Sequence, residues 1–219
     1  MWKQLLVTAF SFGFMSASAF AMSHPVTLED QGSFYAGGKV VTAPGTYKDD
    51  EPTNFDGETL HGDAAYVFWQ KPAKAKKNAM VFLHGYGQSG KTWETTPDGR
   101  DGFQNIFLEK GYSTYVVDEP RRGRAGNSTV PANLKAQPQD QLWYDNFRIG
   151  QWPDVYDNAA VPRDKESQEQ FFYQMTPDTG TYDQDVVADD CRHGKGGQGR
   201  ARHPFRWRRS GLAHGSTQR

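Results

Sequence analysis

A chain of 219 residues with 25 Lys+Arg, 26 Asp+Glu, one Cys, 23 Gly and 12 Pro has room for one domain with a real core, or for the front part of a larger one. A single Cys excludes an intramolecular disulfide scaffold, and the absence of a Gly period or a long apolar run excludes collagen-like, coiled-coil and membrane-bundle architectures. The net charge of −1 hides a seam: residues 192–219 hold eight basic residues and no acid, leaving 17 basic and 26 acidic residues in 1–191.

Residues 1–21 read as a secretory signal peptide. Lys3 supplies the positive start, residues 5–15 the apolar stretch, and Ala19-Phe20-Ala21 the small-x-small cleavage site. The stretch is well short of the roughly 20 residues that span hydrocarbon, so the expectation is export to a periplasm or the exterior, where no ATP pool exists. The mature chain follows as residues 22–188. Residues 32–41 predict a strand pair, or one strand broken at Gly37-Gly38. Residues 44–62, rich in Gly, Asp, Pro and Thr, predict a loop. Residues 64–71 predict a strand ended by Pro72 and a basic linker. Ala79-Met80-Val81-Phe82-Leu83 is a continuous apolar run, expected of a strand buried on both faces. Phe103, Ile106 and Phe107 recur at helical spacing over residues 102–110, closed by Gly111 as a C-terminal cap. Residues 113–117 predict a second buried strand ending at Asp118. Strand, Gly-rich turn, helix and strand make a βαβ unit, hence an α/β fold with a mostly parallel sheet. Residues 127–180 differ, with Gln, Asn, Pro and aromatics and one helix expected around 165–175; such an insertion reads as a lid. Residues 185–188 look like the start of another helix, after which the pattern stops.

The first buried strand runs into His84-Gly85-Tyr86-Gly87-Gln88-Ser89-Gly90-Lys91-Thr92. Two chemistries claim this turn. From Gly85 it fits G-x-x-x-x-G-K-T, a phosphate-cradling loop in which Lys91 meets the outer phosphates, Thr92 ligates magnesium, and Asp118 ends the supporting strand. Against it stand Pro97 and Gly99, which leave hardly one turn of the helix whose dipole must face the anion, and the export signal. The alternative is an oxyanion-hole turn. Acyl transfer builds negative charge on a carbonyl oxygen, and backbone N–H groups on a Gly-rich turn can be aimed at it. Tyr86 N–H is the candidate donor, with Gly85 and Gly87 permitting the geometry.

Here the chain resembles a known family. Phe82-Leu83-His84-Gly85, then Thr92-Trp93-Glu94-Thr95-Thr96-Pro97-Asp98-Gly99-Arg100, then the stretch from Phe107 to Asp118 look like secreted bacterial esterases of the α/β-hydrolase superfamily. Arg122-Gly123-Arg124-Ala125-Gly126 is similar to their G-x-G-x-S turn, with Arg for the first Gly and Gly for Ser. The resemblance implies an α/β-hydrolase fold and a serine carboxylic-ester hydrolase: a Ser on a strand-turn-helix elbow, then an acid and a His. It implies a small-molecule ester as substrate and no cofactor, nucleic acid or membrane partner.

The elbow belongs after the helix that starts near Asp185, and neither G-x-S-x-G nor His-Ser-x-Gly is present. Ser89 sits in the turn itself, Ser128 in a polar loop and Ser210 in the basic tail. His193, His203 and His214 lie in patternless sequence, Cys191 lies at the seam, and no His/Cys/Asp spacing fits a metal. Residues 189–219 are expected to be a disordered, frameshifted tail. Read one base later, the codons of residues 198–209 permit a strand-like Lys-Ala-Val-Leu-Val-Thr followed by His-Ser-Gly-Gly, where the elbow belongs. The expectation for the chain as written is therefore a half-built site without nucleophile, acid or His. A third possibility, a basic tail that binds nucleic acid, predicts strongly salt-dependent binding.

Overall fold

The computed structural model describes residues 25–132, 134, 136–177 and 179. The signal peptide at 1–21, the helix start at 185–188 and the tail at 189–219, with Cys191, His193, His203, Ser210 and His214, lie outside the described residues.

The described residues open with a long hairpin: β1 (Leu28–Thr42) pairs antiparallel with β2 (Thr59–Pro72) from Leu28↔Pro72 to Thr42↔Thr59. The expected break at Gly37-Gly38 is a kink within one strand, because both glycines take positive φ (70° and 100°) while the register on either side is kept. The expected loop at 44–62 is correspondingly shorter, and its last four residues belong to β2.

β3 (Ala79–Leu83) leads through α1 (Lys91–Glu94) and α2 (Phe103–Glu109) to β4 (Ser113–Asp118), and β3 pairs parallel with β4, as a βαβ unit requires. The sheet order is β1-β2-β4-β3, with β2 antiparallel to both β1 and β4. The expectation of a mostly parallel sheet is thus corrected: in this four-stranded sheet one pairing is parallel and two are antiparallel. Only the crossover through α2 can make a parallel neighbour, whereas β1 and β2 are joined by a loop that turns straight back. A second correction concerns β3. It ends the sheet among the described residues and buries Phe82 but exposes Leu83, while β4, paired on both sides, is the buried strand. An apolar run of five residues signals burial without saying which position in the sheet receives it.

The two faces of the sheet have separate packing. Ala65, Val67 and Val117 form a core with Phe34, Ala36, Val81 and Tyr115 on one face. On the other, Phe82 meets Trp93 and Phe107 with ring centroids 5.3 and 5.9 Å apart. α2 ends where expected, at Gly111 with φ 80°. Its buried positions, however, are Gln104 and Leu108 rather than Phe103, which is exposed. Gln104 is tolerated inside because its Nε2 donates to Gln70 Oε1 on β2 at 2.8 Å.

Residues 127–179 hold α3 (Asp140–Asn146), a small hairpin of β5 (Gly150–Gln151) and β6 (Asp154–Val155), and α4 (Lys165–Tyr173). α4 matches the helix expected there and is capped by Asp164, whose carboxylate accepts from Ser167 N–H at 2.8 Å. α3 was not foreseen: its only buried residue is Tyr144, so no apolar period marks it. Tyr144, Ile149, Val161 and Phe171 give this segment a core of its own. No helix among the described residues is long and apolar enough to cross a membrane.

Candidate active site

The parallel strands β3 and β4 end side by side, and the turns that leave them are tied together by two side chains. The first is His84, directly after β3. Its Nε2 accepts from Glu119 N–H at 3.1 Å, so Nδ1 carries the hydrogen and donates to Gly85 O at 2.9 Å. The ring is buried and both nitrogens are occupied. His84 therefore splices the ends of the two strands and is not available as a general base in this arrangement.

The second is Asp118, the last residue of β4 and 1 % exposed. Its Oδ1 accepts from Gly90 N–H at 2.6 Å, and its Oδ2 accepts from Arg124 N–H at 2.9 Å and Arg124 Nε–H at 2.8 Å. Three donors converging on one buried carboxylate satisfy its lone pairs and fix the loop after β3 against the loop after β4. Glycine is required at position 90, since a Cβ there would stand 2.6 Å from Val116 Cγ1 and 2.8 Å from Asp118 Oδ1.

The loop after β4 is held from its far side too. Arg121, at φ 67°, donates from Nε to Asp63 Oδ1 at 2.7 Å, and both residues are buried. Thr129 donates to the same carboxylate through its amide at 3.3 Å and through its hydroxyl. The Arg121 hydrogen bond, with those of Thr129, outweighs burial and holds the Asp63 carboxyl far below the usual carboxylate range. Arg122 Nη1 donates to Thr179 Oγ1 at 2.9 Å, which in turn donates to Arg121 O at 2.9 Å.

Between these clamps lies the predicted turn. Gly85 carries the carbonyl that His84 holds. Gly87 is buried at φ 69°, a conformation that favours glycine, and its carbonyl accepts from Thr176 N–H at 2.8 Å. Thr176 also donates its hydroxyl to Gln88 O at 3.1 Å, so the end of the 127–179 segment is stitched onto the turn. Tyr86 turns its ring outward against Trp143 of α3, with centroids 5.8 Å apart. Tyr86, Gln137, Gln139, Asp140, Trp143, Phe172, Met175 and Thr176 are among the walls of a cleft of about 270 Å³. Gly85, Tyr86 and Gly87 lie at one end of the sheet, and the end of the insertion that the sequence reads as a lid is hydrogen-bonded to their turn through Thr176.

The phosphate-loop expectation meets a different use of its residues. α1 is four residues long and gives way to extended backbone at Thr95. Gly90 N–H is spent on Asp118, and Lys91 Nζ donates to Thr95 O at 2.7 Å and Thr95 Oγ1 at 2.9 Å. Partial burial pulls the Lys91 ammonium below its ordinary pKa, with Glu94 working against that. Ser89 and Lys91 line a second cleft of about 230 Å³ with Asp118 and Arg124. Ser128 donates its hydroxyl to Val130 O at 2.8 Å. Among the described residues no group of three or more His, Cys, Asp or Glu is placed to hold a metal ion.

No family model matches the chain. It is 48 % identical over 86 residues to a fungal protein named probable secreted lipase phiG, a match that takes in 34 % of this chain and 23 % of that protein. It superposes on the solved structure of a bacterial esterase with a TM-score of 0.62 and 33 % identity, over 75 % of this chain and 55 % of that one. The chain spans about a quarter of the first relative's length and about half of the second's. Sequence and fold are both esterase-like.

Proposed function

We propose that this esterase-like chain supplies the oxyanion side of a serine carboxylic-ester hydrolase site, with the ester seated in the cleft at Tyr86. The observation that carries the proposal is the turn after β3: His84 and Asp118 brace it from below and Thr176 from above, while its Tyr86 side chain forms one wall of the cleft. Rigid bracing is what an oxyanion hole needs, because a donor acts on the transition state only if it need not reorganise when charge develops. Tyr86 N–H is assigned as that donor, with Gly85 and Gly87 shaping the backbone around it. One donor of this kind supplies about 2.7–4 kcal/mol of transition-state stabilisation. Its complement is the N–H after a nucleophilic Ser on a strand-turn-helix elbow, whose proton a His accepts.

The sequence as written carries no such elbow, so the second half of this proposal is that the chain binds esters without turning them over. Residues 127–179 act as the lid, and the likeness to a secreted lipase supports export. The test is direct. Purified chain is mixed with p-nitrophenyl butyrate, and release of p-nitrophenol and quenching of tryptophan fluorescence are followed together. Saturable quenching without release above the buffer rate is expected. Sustained release would overturn the missing nucleophile, and absence of saturable quenching would overturn the cleft as the ester site.

A further inference from the structure

We propose that the cleft at Tyr86 selects esters that carry a quaternary or tertiary ammonium group. The inference rests on the ester assignment above and specifies its substrate class. At about 270 Å³ the cleft lies just under the range of about 300–1,000 Å³ usual for small-molecule sites, so it accepts a compact ligand rather than a long acyl chain. Its walls offer three aromatic rings, Tyr86, Trp143 and Phe172, together with the carboxylate of Asp140, and among the described lining residues no Lys, Arg or His.

Rings and a carboxylate, with no cation among the described lining residues, are the donor set that recognises a positive, poorly hydrated head. The Tyr86 and Trp143 centroids are 5.8 Å apart with their planes 42° to each other. A cation is attracted by the face of a ring over about 6 Å from its centroid, and Tyr86 and Trp143 both border the cleft. Asp140 opens α3 three residues before Trp143, and that spacing places the two side chains on one helix face. Asp140 is exposed at the start of α3. A neutral ester would take water from it without returning an ion pair, and an anionic ester would be repelled.

The full 219-residue chain is titrated calorimetrically with choline, with butyrylcholine and with 3,3-dimethylbutyl butyrate, in which carbon replaces the nitrogen. Butyrylcholine is expected to bind about 3- to 30-fold more tightly than its neutral isostere, the span from an exposed to a desolvated cation–π contact. Asp140→Asn, at an exposed position that leaves the core intact, is expected to lower butyrylcholine affinity severalfold and leave the neutral ester unchanged. Trp143→Leu is expected to weaken the cation more than the isostere. Equal or tighter binding of the neutral ester, or no effect of Asp140→Asn, would overturn the proposal and leave the ester assignment standing. Binding of choline with no gain from the butyryl group would keep the cation site and overturn the ester assignment. Binding of none of the three would overturn both.

Discussion

Replacing Asp118 by Asn tests whether one buried carboxylate holds the candidate site together. The substitution is nearly isosteric, so its cost is chemical. Asp118 receives Gly90 N–H on one oxygen and two Arg124 donors on the other. An amide has one accepting oxygen, and the cheaper orientation keeps that oxygen toward Arg124 and turns the NH2 against Gly90 N–H. One buried donor is then unsatisfied, which costs about 1–3 kcal/mol, and the two bonds to Arg124 lose their charge assistance. Together the loss is about 2–4 kcal/mol. With a urea dependence of about 2 kcal/mol per molar, the midpoint falls by roughly 1–2 M. Urea unfolding followed by far-UV circular dichroism reads the global effect, and hydrogen exchange of the peptide covering residues 84–92 reads the local one. Faster exchange there than in β1–β2 is expected. A midpoint shift corresponding to less than 0.5 kcal/mol, with unchanged exchange at 84–92, would refute the bracing role.

Gly87→Ala places a Cβ 2.9 Å from Trp143 Cζ2 at φ 69°; left-handed backbone alone costs roughly 1–2 kcal/mol, and the displaced ring is expected to weaken saturable ester quenching as well as lower the urea midpoint. His84→Phe leaves Glu119 N–H and Gly85 O without their partner, and about 2–4 kcal/mol of stability is expected to go, with selective loss of exchange protection at Glu119. Asp63→Asn removes the charge from a buried pair while tolerating the positive φ of 58°, at about 3–5 kcal/mol. Because the Asp63 carboxyl lies below its usual value in the folded chain, its contribution is complete above the unfolded pKa of about 3.9 and is lost as pH falls further toward the folded value. The acid limb of the stability curve should therefore flatten in Asp63→Asn, and an unchanged limb in urea titrations from pH 7 down to pH 2 would count against the pair. Titration with magnesium-ATP is expected to give no saturable binding, since Gly90 N–H and Lys91 are already engaged within the protein; binding abolished by Lys91→Met would reinstate the phosphate loop.

The signals that reached through from residue order were local ones. Five apolar residues before His84, glycines at 85, 87 and 90, and a helix closed by Gly111 suffice to place a strand, a turn and a crossover, because each depends on backbone freedom or on a short hydrophobic period. α3 escaped because its single buried side chain, Tyr144, produces no period, and the bracing role of Asp118 left no mark in the sequence because its partners Gly90 and Arg124 are 28 and 6 residues away.

What residue order by itself determined is that a Gly-rich turn follows a buried-type strand, and that neither G-x-S-x-G nor His-Ser-x-Gly occurs after it in this sequence. Which strand is central, that two of the three pairings in the four-stranded sheet are antiparallel, and that Thr176 and Trp143 pack on the turn at Tyr86 were decided only by tertiary structure. The physical reason is that a turn's conformation is set by the φ angles its own residues tolerate, whereas a roof over that turn is made by hydrogen bonds and ring contacts between segments whose separation along the chain carries no periodic mark.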